Sequence, residues 1–282
     1  MKTLTALEFL EQTAKNPAWA TTITEPTEIV GVVNFTNHPI AALSPLLYFK
    51  YPAQFLDCEQ LKLAEGVFLQ GCSFEGSGIT AIGELTAHTN PETNDAANFG
   101  RCERLETASG TYYGEADFSR SRVKKIENLN VSLEKPGRAA TFTECPDILV
   151  ATGTYPGYVS FYGSGVQTIE NFQITGADAD GWAANLSRCD HLKTATGTYN
   201  GFAHFAGCRT LHQIKDLEIT GKTTKTAEGI SPGNLTSFIS CHELKSGPNW
   251  LLKNCLIENE LRATISKQAA KLSLRKDEGI TI

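Results

Sequence analysis

The chain has 282 residues, 25 of them basic and 31 acidic, for a formal net charge of -6, with 41% hydrophobic and 20% charged residues. That composition can bury a core and excludes a disordered acidic chain. It offers no long basic run to grip nucleic acid and no apolar stretch near the roughly 18 residues of a membrane span.

The chain opens MKTLTALEFLEQTAKNPAW. Only Lys2 precedes the apolar residues, and Glu8 and Glu11 interrupt them, so the secretory pattern is missing. A cytoplasmic location, or export without a classical signal peptide, is the expectation. Leu4, Leu7, Phe9 and Leu10 suit the apolar side of a short helix with Thr3 or Thr5 as its cap. Residues 1–28 are read as this cap and a first coil.

The next stretch repeats. Phe99, Cys102, Leu105, Ala108, Gly110, Tyr112, Gly114, Ala116 and Phe118 recur as Phe142, Cys145, Leu149, Ala151, Gly153, Tyr155, Gly157, Val159 and Phe161, and again from Leu186 and Cys189 to Phe205. An earlier copy runs from Phe55 and Cys58 to Phe74. Each is followed by a second half: Ser121, Val123, Ile126, Asn128, Leu129 and Val131 in one copy, Ser164 to Ile174 in the next, Cys208 to Ile219 after that. The halves overlay at a shift of 21, Cys102 on Val123. The unit is thus read as a coil of about 22 residues, paired into repeats of about 44. A unit of this size buries its apolar side only by stacking on its neighbours. The expected fold is a β-rich right-handed solenoid over 29–257. Tyr-x-Gly-x-Val-x-Phe alternates with period 2 and reads as one strand. Gly114, Gly157 and Gly201 are expected to leave bare backbone under an aromatic ring.

This grammar, FxxCxxLxxA followed by SxVxxIxNLxI, resembles the bacterial BspA-like (Treponema-type) leucine-rich repeats over roughly residues 30 to 257. The resemblance implies a leucine-rich-repeat-like coil and a role in adhesion, host-protein binding or effector action. Leu261, Ile265, Ala269 and Leu272 fall at helical spacing, so 258–282 is read as a C-terminal capping helix and tail.

The cysteine spacings carry no CxxC and no finger pattern, so no metal or other cofactor is expected. Cys58, Cys102, Cys145, Cys189 and Cys241 recur once per repeat, two coils or roughly 10 Å apart. A disulfide needs its Cα atoms within about 7 Å, so the column is read as reduced and structural. Insertions at His88–Ala97, Ser132–Ala140, Thr175–Ala184 and Thr220–Ser237 share one repeat phase and must emerge along one edge, a common place for binding. Asp178 and Asp180 lie in a glycine-rich loop and read as solvated. The sequons at Asn34, Asn130, Asn185 and Asn234 are read as chance.

No motif of nucleophilic, phosphate or metal catalysis occurs, and no catalytic residue is assigned. The candidate binding residues are Leu69, Tyr113, Tyr158, Tyr162 and Phe202, with Glu115, Asp117 and His204 interleaved, on the solvent face of the period-2 strand. Aromatics on such a face contact a partner, pair across strands, or lie under loops. The leading expectation is a non-enzymatic module for an unknown protein partner, without nucleic-acid binding or membrane insertion. The alternatives are a polysaccharide-active β-helix enzyme and a self-associating structural subunit.

Overall fold

A computed structural model describes residues 1–219, together with the strands Thr236–Ser237 and Cys255–Leu256. The chain winds a β-solenoid of about ten coils in which neighbouring strands are parallel. Each coil contributes one longer and one shorter strand. The longer strands are Thr27–Val30, Leu47–Phe49, Leu63–Phe68, Ala81–His88, Thr107–Tyr113 and Lys125–Ser132, then Val150–Tyr155, Thr168–Ile174, Thr194–Tyr199 and Gln213–Ile219. They form a seven-stranded sheet, which also takes in Lys2–Thr5, and a four-stranded one. The shorter strands run from Val33–Asn34 through Glu115–Asp117, Arg138–Thr141, Tyr158–Ser160, Trp182–Asn185 and Phe202–His204 to Cys255–Leu256, as one eleven-stranded sheet. The core lies between the two faces.

The interior is built from columns, because parallel stacking places equivalent side chains of successive coils over one another. Phe55, Phe74, Phe99, Phe118, Phe142 and Phe161 stack with centroids 5.0 to 5.3 Å apart and planes within 4° to 14°. Fully burying each ring contributes about 1.5–3 kcal/mol. Three residues after the ring stands a cysteine in one coil and a serine in the next. The thiols of Cys58, Cys102, Cys145 and Cys189 donate to the carbonyls of Phe35, Phe74, Phe118 and Phe161, at 3.0 to 3.2 Å. Ser77, Ser121 and Ser164 lie 3.5 to 3.6 Å from the sulfurs of Cys102, Cys145 and Cys189. The cysteines are therefore two coils apart as expected, with one exception. Cys208 takes a serine place directly above Cys189, and its thiol donates to the Leu186 carbonyl. Burial pushes the thiols of Cys58, Cys102 and Cys145 up to about 11 and that of Cys189 to about 12.

The coil lengths correct the sequence reading. Measured between stacked rings, the coils alternate between 19 residues and 24 or 25. Their mean is the expected length, but the overlay of Cys102 on Val123 is displaced by two residues. Ser121, three residues after Phe118, is the partner position of Cys102, three after Phe99. The longer coils are those with an insertion. The described loops 89–94, 133–137 and 175–181 all join a longer strand to the following shorter one, so they do share one edge. The fourth insertion and the C-terminal segment 258–282 lie outside the described residues, apart from Thr236–Ser237.

The Tyr-x-Gly stretch is a corner rather than one strand. The chain turns at Gly114 (φ 147°), leaving Thr107–Tyr113 on the longer face and Glu115–Asp117 on the shorter. No ring lies over these corner glycines. A Cβ on Gly114 would stand 2.9 Å from the Asn94 carbonyl, one on Gly157 2.3 Å from that of Gly137, one on Gly201 2.7 Å from that of Gly181. Each tight corner is thus a seat for the inserted loop of the coil before it. A second glycine does meet a ring: a Cβ on Gly110 (φ 109°) would reach the Tyr112 ring, whose hydroxyl donates to the Ser109 carbonyl at 2.6 Å. There the neighbouring strand bulges: Glu127 and Asn128 stand opposite the single Ser109, and Asn128 takes φ 52°. Asn171 and Asp216 repeat this at 48° and 47°, residues whose short polar side chains tolerate the left-handed region.

At the array's start Thr5 caps the helix Ala6–Lys15 with a capping box to Glu8. Phe9 is buried, stacked 5.4 Å from Phe35. Leu7, expected on the same side, is 65% exposed. Two residues from Phe9, it falls about 200° round the helix, on the side away from the first coil.

Candidate functional site

The corner at Gly114 divides the candidate residues between two faces. Leu69 follows a longer strand at the loop edge. Tyr113 ends another and stacks on His88, its cross-strand partner, at 4.6 Å. These two do not join the others. Glu115, Asp117, Tyr158, Phe202 and His204 lie on the shorter strands, with Tyr162 just beyond one.

On the outer side of the shorter sheet two columns run along the solenoid. The first is polar: Asn34, Gln54, Ser73, Asn98, Asp117, Thr141, Ser160, Asn185 and His204, in register from coil to coil. Most of it builds the next corner. Asn98, Asp117 and Asn185 accept the backbone N–H two residues on, from Gly100, Ser119 and Ser187, at 2.7 to 2.9 Å, an Asx turn in each case. Asp117 is thereby committed to the fold. Just past it, every coil from Asn37 to Gly207 has one residue with φ between 52° and 75°, among them Arg101, Arg120, Glu144 and Arg188.

The second column is chemically varied: Asp95, Glu115, Arg138, Tyr158, Trp182 and Phe202 in successive coils. Glu115 accepts a hydrogen bond from the Thr141 hydroxyl at 3.0 Å and lies 3.7 Å from the Arg138 guanidinium. Burial raises its pKa; Arg138 and Thr141 oppose that, and Asp95 and Asp117 add to it. Trp182 stands half-buried with its ring 5.7 Å from Phe202 and 4.1 Å from His204. The insertion holds it there. Asp178 accepts the backbone N–H groups of Asp180 and Trp182 at 3.0 and 2.8 Å, so the Asp-x-Asp pair shapes a loop. Phe202 is covered by that loop and by Trp182, with 5% of its surface exposed. Trp182, rather than Phe202, is the ring left half-exposed there. Burial also lowers the pKa of His204. Tyr162 is half-buried, with the Arg188 guanidinium 5.6 Å over its ring.

Trp182 was missed because it has no counterpart in the repeat; Arg138 and Tyr158 hold the same column in neighbouring coils. The longer face carries a different feature. Glu65 and Glu84 lie on adjacent strands in an open groove of about 690 Å³, with Tyr48, Ser109, Thr111 and Asn130 around them. Gly83 is small there because a Cβ would stand 2.1 Å from the Glu65 carboxylate. Burial, with a further contribution from Glu84, raises the pKa of Glu65. Among the described residues no cluster of three His, Cys, Asp or Glu side chains converges on one point, and no helix is long and apolar enough to cross a membrane. No protein-family profile, curated protein or solved structure matches the chain.

Proposed function

We propose that the protein is a non-enzymatic binding module that presents the outer side of its shorter sheet to a protein partner. The observation that carries this reading is the half-buried Trp182 on Phe202 and His204, with Tyr158 and the Glu115–Arg138 pair in the adjoining coils. Rigid aromatic anchors with polar neighbours are the side chains that dominate protein interfaces. The solenoid backbone holds them at fixed spacing, so little conformational freedom is lost on binding. The resemblance to BspA-like leucine-rich repeats supports the same role, with helical ends closing a right-handed coil.

The test is affinity capture from cell extract with the wild-type chain and the double variant Tyr158→Ala/Trp182→Ala, once circular dichroism has shown equal folding. A partner retained by the wild type and lost by the variant is the expected outcome. Equal capture by both would overturn the assignment of this face. Size-exclusion chromatography of the same pair tests self-association.

The Glu65–Glu84 groove favours a second reading, hydrolysis of a polysaccharide, since paired carboxylates flanking a cleft are what that chemistry requires. Release of reducing ends that disappears in Glu65→Gln and Glu84→Gln would establish it in place of the first.

A further inference from the structure

The strip on the shorter sheet has a charge and a spacing as well as aromatic rings. Asp95, Glu115 and Asp117 gather at one end, with Arg138 the cation paired to Glu115. Tyr158 and Trp182 form the other end. From Glu115 to Trp182 is three coils, about 14 Å at the spacing of parallel strands, a span matched by about four residues of extended chain.

Resting on the reading above, we propose that the partner contributes an extended basic segment lying along the solenoid axis. One lysine or arginine of it sets against Glu115 and Asp95, and a second, about four residues on, sits over the rings of Tyr158 and Trp182. The face already makes both contacts with its own cations. Arg138 lies 3.7 Å from the Glu115 carboxylate, and Arg188 lies 5.6 Å over Tyr162 in the adjoining coil. Tryptophan is the best of the aromatic rings for such a contact. A segment that supplied two cations would replace Arg138 as the partner of Glu115 and add a contact at Trp182. Its affinity would then fall as salt screens the exposed charges. Arg138 competes with the incoming cation, so its removal strengthens binding.

The experiment uses the full chain and two labelled twenty-residue Gly/Ser peptides, one with arginine and one with glutamine at every fourth position, read by fluorescence anisotropy. The arginine peptide is expected to bind saturably. It should bind at least ten-fold more weakly to Trp182→Ala and several-fold more weakly to Glu115→Gln and at 300 rather than 20 mM NaCl. It should bind more tightly to Arg138→Ala. Trp182→Phe, which keeps a ring on Phe202 and His204, separates loss of the ring from loss of folding and should bind with intermediate affinity. Equal binding of the glutamine peptide, arginine-peptide binding indifferent to Trp182→Ala and Glu115→Gln, or no saturable binding would overturn the proposal. A partner captured through Tyr158 and Trp182 while the arginine peptide fails to bind would leave the protein-binding reading in place and remove only this one.

Discussion

Asn128 shows how a single residue is fixed by the turn it must make. It sits at φ 52° in the bulge opposite Ser109 and Gly110, in a strand whose side chains otherwise alternate between core and solvent. The left-handed region costs an ordinary L-residue about 1–2 kcal/mol, and asparagine less. Asn128→Ala should therefore lower the unfolding free energy by about 1 kcal/mol, whereas Asn128→Gly should leave it nearly unchanged. Chemical denaturation of the two variants checks the difference. The asparagine stood out in the repeat as Ile-x-Asn-Leu, and its residue type carries the signal. The left-handed corner residues gave none. Arg101, Arg120, Glu144 and Arg188 sit at φ 56° to 58° without any preference of their own, because the backbone N–H groups of the corner bond to the next coil and impose the turn. Trp182 was equally silent, since a repeat shows what recurs and the side chain proposed to meet a partner occurs in one coil alone.

At the scale of the strand and column, the ring ladder carries the packing. Phe118 is fully buried, between Phe99 and Phe142. Phe118→Ala removes contacts on both sides and leaves a cavity, so it should cost about 3–5 kcal/mol, read as a lowered midpoint in thermal or denaturant unfolding. The inward positions were legible from the recurrence of Phe, Cys, Leu and Ala, and they are buried in every described copy save Leu149, which is 48% exposed. There Ile148, one residue earlier, turns inward instead. What the alternation hid was the corner. Tyr112, Ala116 and Phe118 all point inward although the chain changes sheets between them, so the period of two survives a turn that moves Tyr113 and Glu115 onto different faces. The binding stripe read across that corner was accordingly split, with Leu69 and Tyr113 on one side and the remainder on the other.

Across the whole molecule, the buried titratable groups bound a pH range of stability. Burial lowers the folded-state pKa of His38 and His204 below 6.5. His38 stacks on Phe35, its Nδ1 accepts the Ile40 N–H, and its Nε2 is buried without a hydrogen-bond partner. As pH falls below 6.5 the unfolded chain takes up protons first, so stability falls with pH. On the alkaline side the thiols of Cys58, Cys102, Cys145 and Cys189 titrate near 11 to 12 in the folded state, against 9.0 for an ordinary thiol. Above pH 9 the unfolded chain releases protons first, and each thiol withdraws about 1 kcal/mol of stability per pH unit until its folded pKa is reached. Thermal melts from pH 5.5 to 10.5 should show a plateau between 6.5 and 9 with a fall on either side. His38→Gln should make the acid limb shallower, leaving the share of His204, and should not change the alkaline limb.

The seating of each inserted loop on the glycine corner of the following coil also governs how such a chain can change its length. A coil with a loop needs a coil with a bare corner above it, and a cysteine coil needs a serine or cysteine neighbour. From Phe74 to Phe161 looped and bare coils alternate, so removing one bare coil there would stack one looped coil on another, and removing two keeps the alternation. Within that stretch the step for duplicating, trimming or splicing the array is therefore the pair, 43 or 44 residues, whereas the coils before it, with joins of two or three residues, already stack singly on one another.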